Sequence, residues 1–256
     1  MKIVGVIPAR YQSSRFPGKP LVDLNGTPMI IRVAKIVEKA LGKENTYIAT
    51  DDCRIKDVVE SHGFKAVMTS SDCLTGTDRV YDFSKQVTAD IYVNVQGDEP
   101  LLNHKDIQKI IDIKKENMNS VINGMCSLTP DEDPHNVNIP KVVTNKFNDL
   151  LYMSRLAVPG IKIMKKGLQP DYKKQVCIYA FSQEELEAYG SQQVKAVFEG
   201  FEDIEILRFF DLNIPVKMVK TSGSSLAVDV LEDVAKVEAE LIKLEGKNDK
   251  NRIVGF

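Results

Sequence analysis

Residues 3–7 read Ile-Val-Gly-Val-Ile, and a polar loop rich in glycine and proline follows them to about residue 26. A short, continuous apolar run of this kind is typical of a strand that is buried on both faces. Thr27 and Pro28 then provide an N-cap and a first-turn proline for a helix whose apolar residues recur at helical spacing as far as Gly42. The start of the chain therefore predicts a strand and a helix joined by an unusually long loop.

The same alternation continues through the first half of the chain. Strands are predicted at 46–50, 65–69 and 90–95, and helices at 54–62, 78–87 and 104–117. Strand–helix alternation at this spacing indicates right-handed βαβ units and a mainly parallel sheet with helices on both faces. We therefore predict a three-layer α/β fold, in which ligands bind outside the carboxyl ends of the strands.

The second half of the chain changes character. β-rich runs occur at 139–144, 149–153 and 176–181, helical patterns at 183–189, 201–211 and 231–245, and a strand-like run at 216–219. No internal repeat or low-complexity linker divides the sequence. We therefore predict a single domain over residues 1–256 that carries a smaller β-rich insertion, forming a subdomain at about 120–215.

Composition excludes several classes of protein. The 34 basic and 36 acidic residues give a net charge of −2, which argues against a nucleic-acid binder with a global basic field. No apolar stretch approaches the ~18 residues of a membrane span. The four cysteines form no Cys-x-x-Cys pair and the three histidines are scattered, so no half of a zinc site is visible. We expect reduced thiols and a cytoplasmic protein.

The first loop concentrates positive charge. From Met1 through Val22 there are four basic side chains and no acidic one, and Arg10, Arg15 and Lys19 lie within the loop. Arginine and lysine neutralise phosphate oxygens, and glycine allows the backbone to approach them closely. The loop therefore predicts a polyphosphate site, although a solvated basic loop is the simpler alternative.

Two common phosphate motifs are missing from this loop. A Walker loop requires glycine at the position of Ser13 and serine or threonine at the position of Pro20. The Gly-x-Gly-x-x-Gly fingerprint of dinucleotide-binding proteins does not follow the first strand either. The pattern therefore disfavours both a P-loop ATPase and an NAD-dependent oxidoreductase.

The full loop is more specific than its charge. It reads Pro8-Ala9-Arg10-Tyr11-Gln12-Ser13-Ser14-Arg15-Phe16-Pro17-Gly18-Lys19-Pro20-Leu21, and it resembles the loop of the acidic-sugar cytidylyltransferases, above all the 3-deoxy-manno-octulosonate (Kdo) cytidylyltransferase family. The resemblance continues at residues 75–79, 94–100, 141–143, 152–155, 199–208 and 228–229. It implies a nucleotide-diphospho-sugar transferase-like fold and covers nearly the whole chain.

The resemblance implies a reaction in which CTP and an acidic ulosonic sugar give the CMP-sugar and pyrophosphate, for lipopolysaccharide or capsule synthesis. Asp98 and Asp229 would hold Mg²⁺, which takes one or two carboxylates together with substrate phosphates. Arg10 and Lys19 would stabilise charge on the phosphates. Read alone, Asp229 could equally be the N-cap of the following helix.

The resemblance also implies two sets of binding residues and, for this family, a homodimer. Backbone groups around residues 8–10 would select cytosine, and the full nucleotide-binding set is Pro8, Ala9, Arg10, Ser14, Arg15, Gly18, Lys19, Thr75, Gly76, Arg79 and Gln96. The sugar-binding set is Arg155, Gln175, Tyr179, Glu199, Glu202 and Glu205. Arg155 can fork a carboxylate. The three glutamates recur every three residues, so they would follow one face of a helix, and a solvated face is their alternative interpretation.

Two positions depart from the family pattern. Gln175 stands where relatives commonly have the histidine expected to contact the sugar, and Ile206 stands where they usually have glutamine. Because both departures lie on the acceptor side, the acceptor is open between Kdo and a close relative, such as an amino-substituted ulosonic acid. A sialic-type acceptor and a catalytically silent nucleotide-binding module are further alternatives.

Overall fold

The computed structural model describes residues 1–12, 16–163, 170–223 and 226–253, with side chains described as far as residue 244. The first half contains β1 (Ile3–Ala9), β2 (Asp23–Leu24), β3 (Thr27–Pro28), α1 (Met29–Leu41), β4 (Thr46–Thr50), α2 (Cys53–Ser61), β5 (Lys65–Met68), α3 (Gly76–Ser84), β6 (Ile91–Val95) and α4 (His104–Glu116). The second half contains β7 (Val121–Ser127), β8 (Lys141–Thr144), β9 (Leu150–Ser154), β10 (Lys173–Phe181), α5 (Gln183–Gly190), α6 (Val197–Glu202), α7 (Arg208–Asp211), β11 (Val216–Lys220) and α8 (Leu231–Ile253).

A nine-stranded sheet organises the molecule. Its main path runs β11-β7-β10-β6-β1-β4-β5. β1 is parallel to β4 and β6, β4 is parallel to β5, and β11 is parallel to β7. β10 alone along this path runs antiparallel to its neighbours, β6 and β7. The predicted mainly parallel sheet is thus confirmed.

Helices cover both faces of this sheet, as predicted. On one face, Ile30 of α1, Ile55 of α2 and Ile107 of α4 are fully buried in one hydrophobic cluster. On the other face, Val80 of α3 and Leu186 of α5 are fully buried in a second cluster. Because parallel strands are buried on both sides, β1 is a continuous apolar run.

The described strands of the β-rich region all belong to the main sheet. β7 and β10 lie inside the main sheet, and β8 and β9 branch from the end of β10 through the pairing of Lys174 with Lys141. β7 is not among the predicted strands, because Val121–Ser127 contains Asn123 and Gly124 in place of an unbroken apolar run.

The start of α1 corrects one prediction. Thr27 is not the N-cap, because Thr27 and Pro28 form β3 and pair with Asp23 and Leu24. Pro28 is itself the N-cap, with extended backbone (φ −53°, ψ 138°).

The helix predicted at 201–211 is also wrong. α6 ends at Glu202, and Asp203 adopts a left-handed conformation with φ 49°. A 3-10 turn at Glu205–Leu207 then leads into the short α7. Aspartate tolerates the left-handed region better than most residues, so the chain can turn there. The three glutamates therefore do not share one helical face.

Two further features bear on the class of protein: the apolar character of the helices and the state of the cysteines. Within the described ranges, no helix is long and apolar enough to cross a membrane. All four cysteines are free thiols.

Candidate active site

A cleft opens at the carboxyl ends of β1 and β6, where ligands of parallel sheets bind. Four segments form it: the loop after β1, the turn into α3, the turn after β6 and the stretch before α8. Its lining residues are Pro8, Ala9, Arg10, Lys19, Pro20, Met29, Cys73, Leu74, Thr75, Gly76, Arg79, Gln96, Gly97, Asp98 and Asp229. Residues that are up to 221 positions apart in the sequence thus meet in one cleft.

Lys19 joins three of these segments. Its Nζ donates hydrogen bonds to Asp98 Oδ2 at 2.7 Å and to the Val228 carbonyl at 3.0 Å. The Val228 N–H in turn donates to the Asp98 carbonyl at 3.0 Å. Gly18, in the left-handed region with φ 73°, lets the loop turn immediately before Lys19. The ammonium group therefore fixes Asp98 beside the segment that carries Asp229.

The two predicted metal ligands, Asp98 and Asp229, both line this cleft. The backbone N–H of Asp229 donates to Asp233 Oδ2 at 3.1 Å, so Asp233 reaches back to the turn before α8. In the described part of the chain, no group of three or more His, Cys, Asp or Glu side chains is arranged to hold a metal. A pair of carboxylates in an open cleft suits Mg²⁺, which fills its other positions with water and phosphate oxygens.

The N-terminus of α3 forms the opposite wall. The Thr75 side chain caps it by accepting a hydrogen bond from the Asp78 N–H at 3.1 Å, so the helix begins earlier than the predicted residue 78. A Cβ atom on Gly76 would lie 2.7 Å from Gln96 Nε2. A side chain at this position would therefore displace the Gln96 amide, which bonds to Glu205.

Arg79 lines the cleft but is bonded to protein groups, and its contact with a nucleotide stays a prediction. Its Nη1 donates to Thr69 Oγ1 at 2.7 Å and its Nη2 to Asp51 Oδ2 at 3.0 Å. The side chain is 4% exposed. Arg79 thus ties α3 to the ends of β4 and β5, and it thereby supports the wall of the cleft.

The structure brings most of the predicted nucleotide-binding set together. The members that line the cleft are Pro8, Ala9, Arg10, Lys19, Thr75, Gly76, Arg79 and Gln96. Gly18 shapes the loop without lining the cleft. Ser14 and Arg15 lie outside the described residues.

On the acceptor side, Glu205 is linked to the cleft wall. Glu205 Oε1 accepts a hydrogen bond from Gln96 Nε2 at 2.9 Å, and Oε2 accepts one from the Thr77 N–H at 3.0 Å. Burial raises the pKa of Glu205. The hydrogen bond from the Thr77 N–H lowers this pKa, and the charge of nearby Asp78 raises it. Glu205 therefore lies beside the nucleotide wall, and its role in sugar binding stays a prediction.

Glu199 is predicted as a sugar ligand by the resemblance and as part of a solvated face by its spacing, and its position fits neither. It is fully buried, and Arg208 donates to both of its oxygens, from Nε at 2.7 Å and from Nη2 at 2.6 Å. Arg208 also donates from Nη1 to Asp78 Oδ1 at 2.8 Å. Burial opposes the charge on Arg208, but hydrogen bonds to Glu199 and Asp78 outweigh it and raise the pKa of the guanidinium. Glu199 therefore anchors Arg208 and offers no oxygen to a sugar.

Glu202 and Arg155 are likewise engaged with protein groups. Glu202 accepts from Ser154 Oγ at 2.7 Å and from the Arg155 N–H at 2.8 Å. The Arg155 guanidinium donates to the carbonyls of Glu202, Val137 and Asp203. Since guanidinium has five N–H donors, these three bonds leave two for a ligand. A fork on a sugar carboxylate remains a prediction for Arg155.

Gln175 and Tyr179 meet on β10. Gln175 Nε2 donates to the Tyr179 hydroxyl at 3.2 Å. Tyr179 is buried, and burial raises the pKa of its phenol well above the usual value, so the hydroxyl keeps its proton. Their predicted role in sugar binding remains a proposal.

Sequence reasoning missed Arg208 and Asn123. Arg208 ends the glutamate-rich run at 199–208, so the motif contained it, but only the fold shows that it links α6 to Asp78 at the start of α3. Asn123 is fully buried on β7 and has no motif around it, so no pattern in the sequence could have drawn attention to it.

The fold and the cleft define the chain as a nucleotidyltransferase-like α/β protein. The family model described as "Cytidylyltransferase" matches residues 4–218. The chain belongs to the cytidylyltransferase family.

Individual proteins are similar to this chain over nearly its whole length. The chain is 35% identical over 238 residues to the 3-deoxy-manno-octulosonate cytidylyltransferase of Escherichia coli, covering 93% of this chain and 95% of that protein. It is also 35% identical over 249 residues to the 8-amino-3,8-dideoxy-manno-octulosonate cytidylyltransferase of Shewanella baltica (strain OS185), covering 94% and 99%. The solved structure of CMP:2-keto-3-deoxy-manno-octonic acid synthetase complexed with CTP superposes with a TM-score of 0.87 at 34% identity, covering 95% of this chain and 99% of that one.

Proposed function

We propose that the chain transfers CMP from CTP to Kdo or a closely related ulosonic acid and releases pyrophosphate. The observation that carries this proposal is the joining of Lys19, Asp98 and the Asp229 segment in one cleft. The lysine cation can stabilise the charge on a triphosphate while the two carboxylates coordinate its Mg²⁺. The names of the relatives support the choice of CTP and of an octulosonate acceptor. A role in lipopolysaccharide or capsule synthesis follows from that choice of acceptor.

Asp98 and Asp229 would hold Mg²⁺, which when bound would neutralise charge on the triphosphate and polarise the phosphorus that is attacked. Lys19 holds Asp98 in place and presents its ammonium group to the same phosphates, and exposed Arg10 adds a second positive charge. The backbone at Pro8 and Ala9 would face the base. A hydroxyl of the acceptor sugar attacks the α-phosphate and pyrophosphate leaves, so no covalent enzyme intermediate is needed.

Pyrophosphate release from CTP, UTP and ATP tests this function, with Kdo and a panel of related acids as acceptors and Mg²⁺ present. We expect release that depends on both CTP and acid, with CTP preferred over UTP by at least ~100-fold because the base is read by fixed hydrogen-bonding groups. Nucleotide binding without release for any acid would instead identify a catalytically silent module.

Gly76→Ala should lower kcat/KM for CTP by roughly 10-fold to 100-fold, because a methyl group 2.7 Å from Gln96 Nε2 would displace this cleft-lining side chain. Gly200→Ala is the matched control, since a Cβ at Gly200 meets nothing within 4 Å. Steady-state kinetics in CTP checks both variants. Equal kinetic constants in the two variants would show that the close approach at Gly76 does not shape the nucleotide site.

We also propose a homodimer, with an apolar surface on α6 as its interface. Val197, Phe198 and Phe201 are 64%, 51% and 87% exposed. Clustered large apolar side chains on a surface mark sites of association. Phe201→Glu should convert a particle of twice the chain mass into one of single mass in light scattering, whereas Ile242→Glu, on α8, should not. A wild-type particle of single mass would overturn the dimer.

The proposed enzyme would act in the cytoplasm. The four free thiols support this location, because such cysteines persist in a reducing compartment.

A further inference from the structure

A chain of side-chain amides crosses from β7 to β10. Asn123 lies fully buried on β7, beside the irregularity in β10 between Val176 and Tyr179. Its Nδ2 donates hydrogen bonds to the carbonyls of Val176 at 3.0 Å and Ile178 at 2.9 Å. Backbone carbonyls can only accept, so the orientation of this amide is fixed, and Oδ1 must point away from them.

The fixed Asn123 in turn orients Gln175. Gln175 Nε2 donates to Asn123 Oδ1 at 3.0 Å as well as to the Tyr179 hydroxyl. An amide nitrogen carries the only donors of the side chain, so Oε1 is turned away from Asn123. Among the residues that the structure describes, none donates a hydrogen bond to Gln175 Oε1. The half-buried Gln175 therefore presents a hydrogen-bond acceptor at this place.

Gln175 belongs to the predicted sugar-binding set, and its strand borders the cleft. The Gln96 N–H donates to the Cys177 carbonyl at 3.2 Å, so the strand that carries Gln175 adjoins a cleft-lining residue. After burial, the neighbouring Cys177 thiol and the charges of Glu205 and Glu99 raise the pKa of Tyr179. Burial and the charges of Glu99, Asp98 and Glu205 raise the pKa of Cys177. Lys174, the cation next to Gln175 in the sequence, is paired with Glu132. A positive group would be favoured in such surroundings.

We propose that Gln175, oriented by Asn123, is a specificity-determining residue. It favours an acidic acceptor sugar that carries an ammonium group over the same sugar with a hydroxyl in place of that group. The inference rests on the proposed cytidylyltransferase function. A hydroxyl can also donate to Oε1, but a hydrogen bond from a charged donor is about twice as strong as a neutral one. The acidic surroundings add to that difference.

The test compares kcat/KM for Kdo and for 8-amino-3,8-dideoxy-manno-octulosonate at saturating CTP, measured by pyrophosphate release. The wild type should prefer the amino sugar by about tenfold, in proportion to the stronger charged hydrogen bond. Gln175→Leu, which removes the acceptor oxygen, should lose activity mainly toward the amino sugar and bring the ratio close to one. Gln86→Leu, at an exposed glutamine that donates to the Met68 carbonyl, should keep the wild-type ratio.

A second variant separates selectivity from folding. Gln175→Lys retains a donor toward Asn123 Oδ1 and Tyr179, but replaces the acceptor oxygen by a positive charge, so it should favour Kdo over the amino sugar. A wild-type ratio at or below one, or a ratio unchanged in Gln175→Leu and Gln175→Lys, overturns the inference. Failure of every acid to release pyrophosphate overturns the proposed function instead.

Discussion

Asp98→Asn should lower kcat by about 10³-fold, the scale on which removing one well-placed electrostatic group acts. The substitution keeps the shape of the side chain but removes the charge that Lys19 approaches at 2.7 Å. It also weakens any Mg²⁺ site, because an amide is a poorer ligand than a carboxylate. Steady-state pyrophosphate release across a Mg²⁺ titration measures both effects.

Asp112→Asn is the control for this prediction. Asp112 is exposed on α4 and pairs only with neighbouring Lys115 at 3.2 Å among its described ion pairs. Its replacement should leave kcat unchanged. A kcat for Asp98→Asn within threefold of the wild type at saturating Mg²⁺ would remove Asp98 from the metal site.

Arg208→Met should destabilise the fold by about 3–5 kcal/mol, because it leaves the buried carboxylate of Glu199 without its cation. For a chain of this size, that loss corresponds to a fall of roughly 6–20 °C in the unfolding temperature. The reason is burial: the side chains of Arg208 and Glu199 are each 1% exposed. Thermal unfolding followed by circular dichroism checks the prediction.

Two further variants isolate the buried pair. Lys236→Met, which removes an exposed partner of Asp233, should change stability by less than about 0.5 kcal/mol. The double variant Arg208→Met, Glu199→Gln should be more stable than Arg208→Met alone, since no buried charge is left unpaired. An unfolding temperature for Arg208→Met equal to that of Lys236→Met would contradict the structural role assigned to this arginine.

The order of the main-sheet strands and their helices in the first half of the chain was predictable, because each of these elements carries its own periodicity. The two-residue strands β2 and β3 are too short to show one. The unusual loop after β1 was also predictable, from its basic residues and its glycine. Asp229 shows the limit of this reasoning: without the resemblance it could equally be a helix cap, whereas the bonds of Lys19 and Val228 bring its segment to the cleft.

The errors arose where a side chain's role depends on distant partners. The spacing of Glu199 suggested a solvated face, but its carboxylate is buried against Arg208, nine residues further along the same run. The left-handed turn at Asp203 breaks the helix that the pattern predicted. The spacing of apolar residues does not reveal a single residue in the left-handed conformation. Asn123 acts through the geometry of β10, which no local pattern encodes.

The central claim is that this cleft joins CMP to an ulosonic acid. Mass spectrometry of a reaction containing the protein, CTP, Mg²⁺ and the preferred acid tests it most directly. The account predicts a product with the mass of CMP plus the acid less one water, formed in equal amount with pyrophosphate and lost in Asp98→Asn. Release of free CMP without any such conjugate, whatever the acid supplied, would contradict it.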